Sequence, residues 1–126
     1  MKIAVSAVEN NLESIMDQRF GRAAFFLIVD SETMSFEVID NAAAASAGGA
    51  GITAAQSVVD KGIEAVITGN VGPNAMNVLN AAENAIYRGI SASVRENVDE
   101  FKKGNLQKID NAVPSHFGMG MTGGPK

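Results

Sequence analysis

The stretch that most constrains the fold is Glu64-Ala65-Val66-Ile67-Thr68-Gly69-Asn70-Val71-Gly72-Pro73-Asn74-Ala75, an apolar run that stops at a glycine loop where a helix begins. Val66 and Ile67 are β-branched and bounded by turn residues, so the run reads as a buried strand of about five residues. Pro73 suits a first helical position, because its missing N–H would have no partner there and its φ is already helical. Ala75, Met76, Leu79 and Ala82 follow at helical spacing and form one apolar stripe. Strand, glycine loop and helix in that order are a unit of an open α/β sheet. Their junction lies at the carboxyl end of a strand, the edge where ligands bind, and the helix start offers N–H groups and partial positive charge to an anion. A plain tight connection satisfies the same spacing.

A chain of 126 residues is one domain by length and hides roughly two thirds of its unfolded surface on folding. No run approaches the roughly 20 apolar residues that span a bilayer, so no membrane association is expected. Met1-Lys2-Ile3-Ala4-Val5-Ser6-Ala7 reads as a strand and lacks the pattern of a signal peptide, so a cytoplasmic location is expected. The net charge is −4, and the 10 basic residues form no cluster, so nucleic-acid binding has no electrostatic source. Cysteine is absent and there is one histidine. Thiolate nucleophiles, Cys-based metal sites and a multi-His site within one chain are therefore excluded.

Ile3, Val5 and Ala7 alternate with small residues, as in a central strand covered on both faces. The long polar segment after it ends in Arg19-Phe20-Gly21-Arg22. That pattern fits two guanidinium groups on a pocket rim, and equally two solvated arginines beside a buried Phe20. Ala24 to Asp30 and Met34 to Asp40 read as a hairpin, with Phe36 and Val38 facing in and Ser35 and Glu37 facing out. Asp30 and Asp40 end these strands, as a carboxylate pair for metal chemistry or as ordinary turn residues. Asn41 to Gly51 is small and glycine-rich, a surface loop or a backbone open to close approach. A helix follows, with Ile52, Ala55 and Val59 on one face, Thr53 and Gln56 as a capping box, and its end near Lys61-Gly62. Two helices thus begin at glycine loops and could face one ligand. Ala85 to Arg88 is a short strand, and Asn97 to Glu100 caps a helix ending at Gly104. Residues 111–126 are rich in Gly, Met and Pro and read as a flexible tail. This tail holds His116, Met119 and Met121, soft donors for copper or a metal–sulfur species or incidental residues of an inert tail.

Over about Ile3 to Leu106 these residues resemble the dinitrogenase iron–molybdenum cofactor-binding family of small nitrogenase accessory and related proteins. The resemblance rests on Asp17-Gln18-Arg19-Phe20-Gly21-Arg22-Ala23 running into Phe25 to Asp30, on Gly48-Gly49-Ala50-Gly51-Ile52, and above all on Thr68 to Ala75. Glu96 to Leu106 is similar to the family's closing helix, and Asn84 stands where the family usually has glycine. The resemblance implies a single-domain three-layer α/β/α sandwich over residues 1–110, ribonuclease H-like, with a mixed five-stranded sheet whose first three strands are antiparallel. It also implies non-catalytic carriage of an anionic metal–sulfur cluster, either a molybdenum–copper sulfide or the iron–molybdenum cofactor, with no nucleotide.

The expected pocket comprises Arg19, Phe20, Gly21 and Arg22, then Gly48, Gly49 and Gly51, then Gly69, Asn70, Gly72, Pro73 and Asn74, with His116, Met119 and Met121 as metal contacts from the tail. The expected partners are the cluster and a cluster-handling protein or ATPase, with the chain a monomer or weak dimer. Two other readings exist. One is a regulatory protein-interaction module. The other is a metal-dependent hydrolase, which would need clustered carboxylates, one on the first strand, where Lys2 to Ala7 has none.

Overall fold

Alternate residues of the first strand leave for two different cores, and this makes it the centre of the molecule. A computed structural model describes residues 1–41 and 50–109. Its strands are β1 (Lys2–Ala7), β2 (Phe25–Asp30), β3 (Phe36–Asp40), β4 (Ala65–Thr68), β5 (Ala85–Arg88) and β6 (Gln107–Lys108). Its helices are α1 (Ala50–Val59), α2 (Pro73–Ala81) and α3 (Val94–Lys102). One mixed sheet runs in the order β3-β2-β1-β4-β5-β6. The first three strands are antiparallel neighbours, β1, β4 and β5 are parallel, and β6 returns antiparallel to β5.

On one face Ala4, Phe26, Ile28, Val66 and Ile86 pack with Ala54, Ala55 and Val58 of α1 and with Ala75, Met76 and Leu79 of α2. On the other, Ile3, Val5, Leu27, Val29 and Ile67 pack with Val94 and Val98 of α3. Strands covered on both faces carry apolar or small residues at successive positions, and Ile3, Ala4, Val5 and Ala7 are wholly buried. No helix among the described residues is long and apolar enough to cross a membrane.

Several sequence expectations need correction. The sheet has six strands, not five, because the chain after α3 turns back and pairs Gln107 and Lys108 with Arg88 and Tyr87. α1 starts at Ala50, so Thr53 and Gln56 lie inside it rather than capping it, and its buried face is Ala50, Ala54, Ala55 and Val58 while Ile52 is exposed. α2 ends at Ala81, which leaves Ala82 exposed. α3 begins one turn early: Ser93 accepts from the Glu96 N–H and Glu96 reaches back, and Asn97 is a buried helix residue whose amide ties Ile90, Ala92 and Ser93 together.

Phe36 and Val38 are 41% and 39% exposed. They share the α3 face with Val29 and Leu27, but α3 packs against β1 in the middle of the sheet. Ile39 is the β3 residue that turns inward. Asp30 and Asp40 lie at opposite ends of the antiparallel hairpin, with Asp40 across from Phe25 and Asp30 across from Lys2. A five-residue strand places their backbones about 16 Å apart, so they form no carboxylate pair. Nor is Asn84 the residue with the special turn geometry. Glu83 takes the left-handed conformation after α2, φ 62°, its N–H bonding Asn80 O at 2.9 Å and the Asn84 N–H bonding Leu79 O at 3.0 Å. Asn84 instead donates from Nδ2 to Ile63 O at 2.9 Å.

Candidate anion-binding site

The parallel strands all end at one edge, and there their last side chains on the α1/α2 face become polar. Ser6 of β1 neighbours Thr68 of β4, which neighbours Arg88 of β5. Ser6 and Thr68 are wholly buried. Ser6 Oγ donates to Asp17 O at 2.7 Å, so at 2.7 Å it accepts the proton of Thr68 Oγ1. A buried hydroxyl pair is tolerated when both protons are used, and here the pair also fixes the loop that follows β1.

That loop is further held by the Asp17 N–H on Ser6 O at 2.9 Å, the Asn70 N–H on Gln18 O at 2.7 Å and the Phe20 N–H on Asn70 O at 3.1 Å. Phe20 is buried against Phe26, ring centres 4.9 Å apart. Gly69 makes the approach possible, because a Cβ there would lie 2.6 Å from Gln18 O and 2.9 Å from Gln18 Cα. Gly21 is similarly placed against the start of α1, where an added Cβ would come within 3.0 Å of Gly51 Cα.

Arg19 is committed to a partner. Its Nε and Nη2 each donate to Asp17 at 3.1 Å, a forked pair that raises the guanidinium pKa through the hydrogen bond and the charge of Asp17. Arg22 is exposed.

Gly21, Gly51, Ile52, Gly72, Pro73, Asn74 and Ala75 line a groove of about 230 Å³ between the starts of α1 and α2. Among the described residues no carboxylate lines it, and neither helix carries an acidic residue in its first turn. Gly72 caps α2 without a side chain to bond its N–H groups, and Pro73 follows, so among the described residues no capping side chain takes the first-turn donors. Two other hollows, of about 270 and 220 Å³, lie at the opposite edge of the sheet.

The structure thus brings Gly21, Gly51, Gly72, Pro73 and Asn74 together; Arg19, Arg22, Gly69 and Asn70 are not among the residues that line the groove, and Phe20 is buried support rather than lining. Gly48, Gly49, His116, Met119 and Met121 lie outside the described residues, as does the segment 111–126. Sequence reasoning missed Asp17, Ser6 and Thr68 as supports and missed Arg88 altogether. The available signal for Arg88 was a cation at the carboxyl end of a parallel strand. Among the described residues no group of three or more His, Cys, Asp or Glu could hold a metal ion. An anion with its own outer acceptor atoms fits the N–H groups and the lack of lining carboxylates among those residues.

A mixed sheet with helices on both faces and a glycine-lined groove at its carboxyl edge defines a small three-layer α/β protein whose site is suited to an anion. The chain belongs to the dinitrogenase iron-molybdenum cofactor family, which it matches over residues 1–104. It is similar to the apo form of the orange protein from Desulfovibrio gigas, at 39% identity and a TM-score of 0.82 over 86% of this chain and 92% of that one. It is similar to a NifB-like protein from Thermotoga, at 39% identity and a TM-score of 0.76 over 85% and 91% of the two chains. An uncharacterized protein from Methanocaldococcus jannaschii is 32% identical over 113 residues, 87% of this chain and 92% of its own length.

Proposed function

We propose that this protein is a non-catalytic, cytoplasmic carrier of an anionic metal–sulfur cluster, of the molybdenum–copper sulfide or iron–molybdenum cofactor type, which it delivers to a cluster-handling protein or ATPase. The observation that carries the reading is the groove between the starts of α1 and α2, floored by glycine and, among the described residues, lined by no carboxylate, in a chain of this family. A preformed cluster needs no protein thiolate, and this chain has none. Its outer sulfide or oxide atoms accept hydrogen bonds from the first-turn N–H groups, each such charge-assisted bond worth about 1.5–3 kcal/mol. Ile52 and Pro73 supply apolar cover beside them. Hydrolysis through two metal ions gains no support, since β1 carries no carboxylate and Asp30 and Asp40 lie at opposite ends of their hairpin.

The test is anaerobic expression followed by the visible spectrum and the content of molybdenum, copper, iron and sulfide per chain. Colour with stoichiometric molybdenum and sulfide is the expected result, and copper or iron then names the cluster. A colourless protein that also fails to take up tetrathiomolybdate with copper, or isolated iron–molybdenum cofactor, would refute the carrier reading and favour a regulatory module.

A further inference from the structure

The cations of this chain differ in what they rest on. Arg19, Lys61, Arg95 and Lys103 each sit on a carboxylate, of Asp17, Glu37, Glu13 and Glu100 respectively. Arg88 sits on a carbonyl: its Nη1 donates to Gly69 O at 3.0 Å. The residues beside it across both neighbouring strands, Thr68 of β4 and Gln107 of β6, are neutral. One hydrogen bond to a carbonyl uses a fraction of a guanidinium's donors and none of its charge.

The position follows from the strand. Ile86 points into the core beneath α1 and α2, so Arg88, two residues on, leaves the sheet on that same face. It is the last residue of β5, at the edge where β1 and β4 also end. Its bond to Gly69 fastens it to the turn that leads, through Asn70 and Val71, into the Gly72 cap of α2. The charge expected from Arg19 is instead balanced by Asp17.

We propose that Arg88 is a binding residue for the anion, and that the site extends from the groove across the Gly69–Asn70 turn to the end of β5. This rests on the carrier reading. Arg88 supplies a planar, permanently charged donor to the outer sulfides of a metal–sulfide dianion while the first-turn N–H groups hold its other side.

The experiment is anaerobic equilibrium dialysis of the full chain against tetrathiomolybdate with copper(I), reading molybdenum retained per chain at low and high salt. Arg88→Gln keeps a donor for Gly69 O but removes the charge, and Arg88→Lys keeps the charge. Arg95→Ala, on α3 at the far face, controls for net charge. The expected result is retention weakened about tenfold or more in Arg88→Gln, within about threefold of wild type in Arg88→Lys, unchanged in Arg95→Ala, and less salt-sensitive in Arg88→Gln. Melting temperatures matching wild type assign the loss to binding. Wild-type retention in Arg88→Gln overturns this inference and leaves the carrier reading standing. No uptake by the wild-type chain overturns both.

Discussion

Replacing Gly69 by alanine isolates the contact on which the candidate site is built. The added methyl would lie 2.3 Å from Gln18 Oε1, 2.6 Å from Gln18 O and 2.9 Å from Gln18 Cα. The side-chain oxygen can swing away, but the other two atoms are backbone, so the Gln18–Phe20 segment must move. Overpacking of this kind costs about 1–3 kcal/mol. The move also stretches the Asn70 N–H to Gln18 O and Phe20 N–H to Asn70 O bonds, about 1 kcal/mol each. Together a loss near 3 kcal/mol is expected, or a fall in Tm of roughly 10 °C. Gly69 has no positive φ, so the effect is steric and not conformational. Gly72→Ala is the control: nothing lies within 4 Å of its added Cβ, and the poorer cap costs at most about 1 kcal/mol. Urea unfolding of both variants at equal m measures the difference. Gln18→Ala should not rescue Gly69→Ala, because the obstructing backbone stays. A Gly69→Ala variant within about 0.5 kcal/mol of wild type would refute the packing argument.

Glu83→Gly should raise stability by about 0.5–1 kcal/mol, since a left-handed residue after a helix costs a side chain energy that glycine avoids; a thermal melt reads it. Ser6→Ala should cost about 1–3 kcal/mol in urea unfolding, because it leaves the Asp17 carbonyl without its donor and the Thr68 hydroxyl without its acceptor in a dry site. The Asp30 carboxylate is held below its ordinary range by the N–H groups of Glu32 and Thr33. A depressed carboxylate stabilises above its unfolded value and ceases to as pH falls through the folded one. Asp30→Ala should therefore melt below wild type near pH 7 and converge with it on acidification below about pH 4.

Strand β4, its glycine turn and helix α2 were legible because Val66, Ile67, Gly69, Gly72 and Pro73 each favour the same local structure. β1 was legible for a similar reason, its small residues marking both faces as covered. The face of β3 was not. Phe36 and Val38 alternate as a half-buried strand should, and only the position of α3, set by distant packing, leaves them uncovered. The sequence pattern places the start of α3 one turn late, because Asn97 and Glu100 imitate the box that Ser93 and Glu96 form. In the site, glycine positions were readable from backbone demand, whereas charge pairing was not: nothing local shows that Asp17 claims Arg19 or that Arg88 faces neutral neighbours.

The central place of β1 has a consequence for how the chain is made. Ile3 pairs with Ala65 in the parallel ladder, so a ribosome working at about 5–20 residues per second releases β1 roughly 3 to 12 seconds before its β4 partner exists. β2 and β3 can close on one side of β1 in that interval, but its other side is a temporary edge, open to pairing with a neighbouring nascent chain. The groove, built from Gly21 made early in that delay and Gly72 made after it, cannot form until translation has passed β4. Slower synthesis lengthens the exposure, and crowding of nascent chains turns the same interval into aggregation.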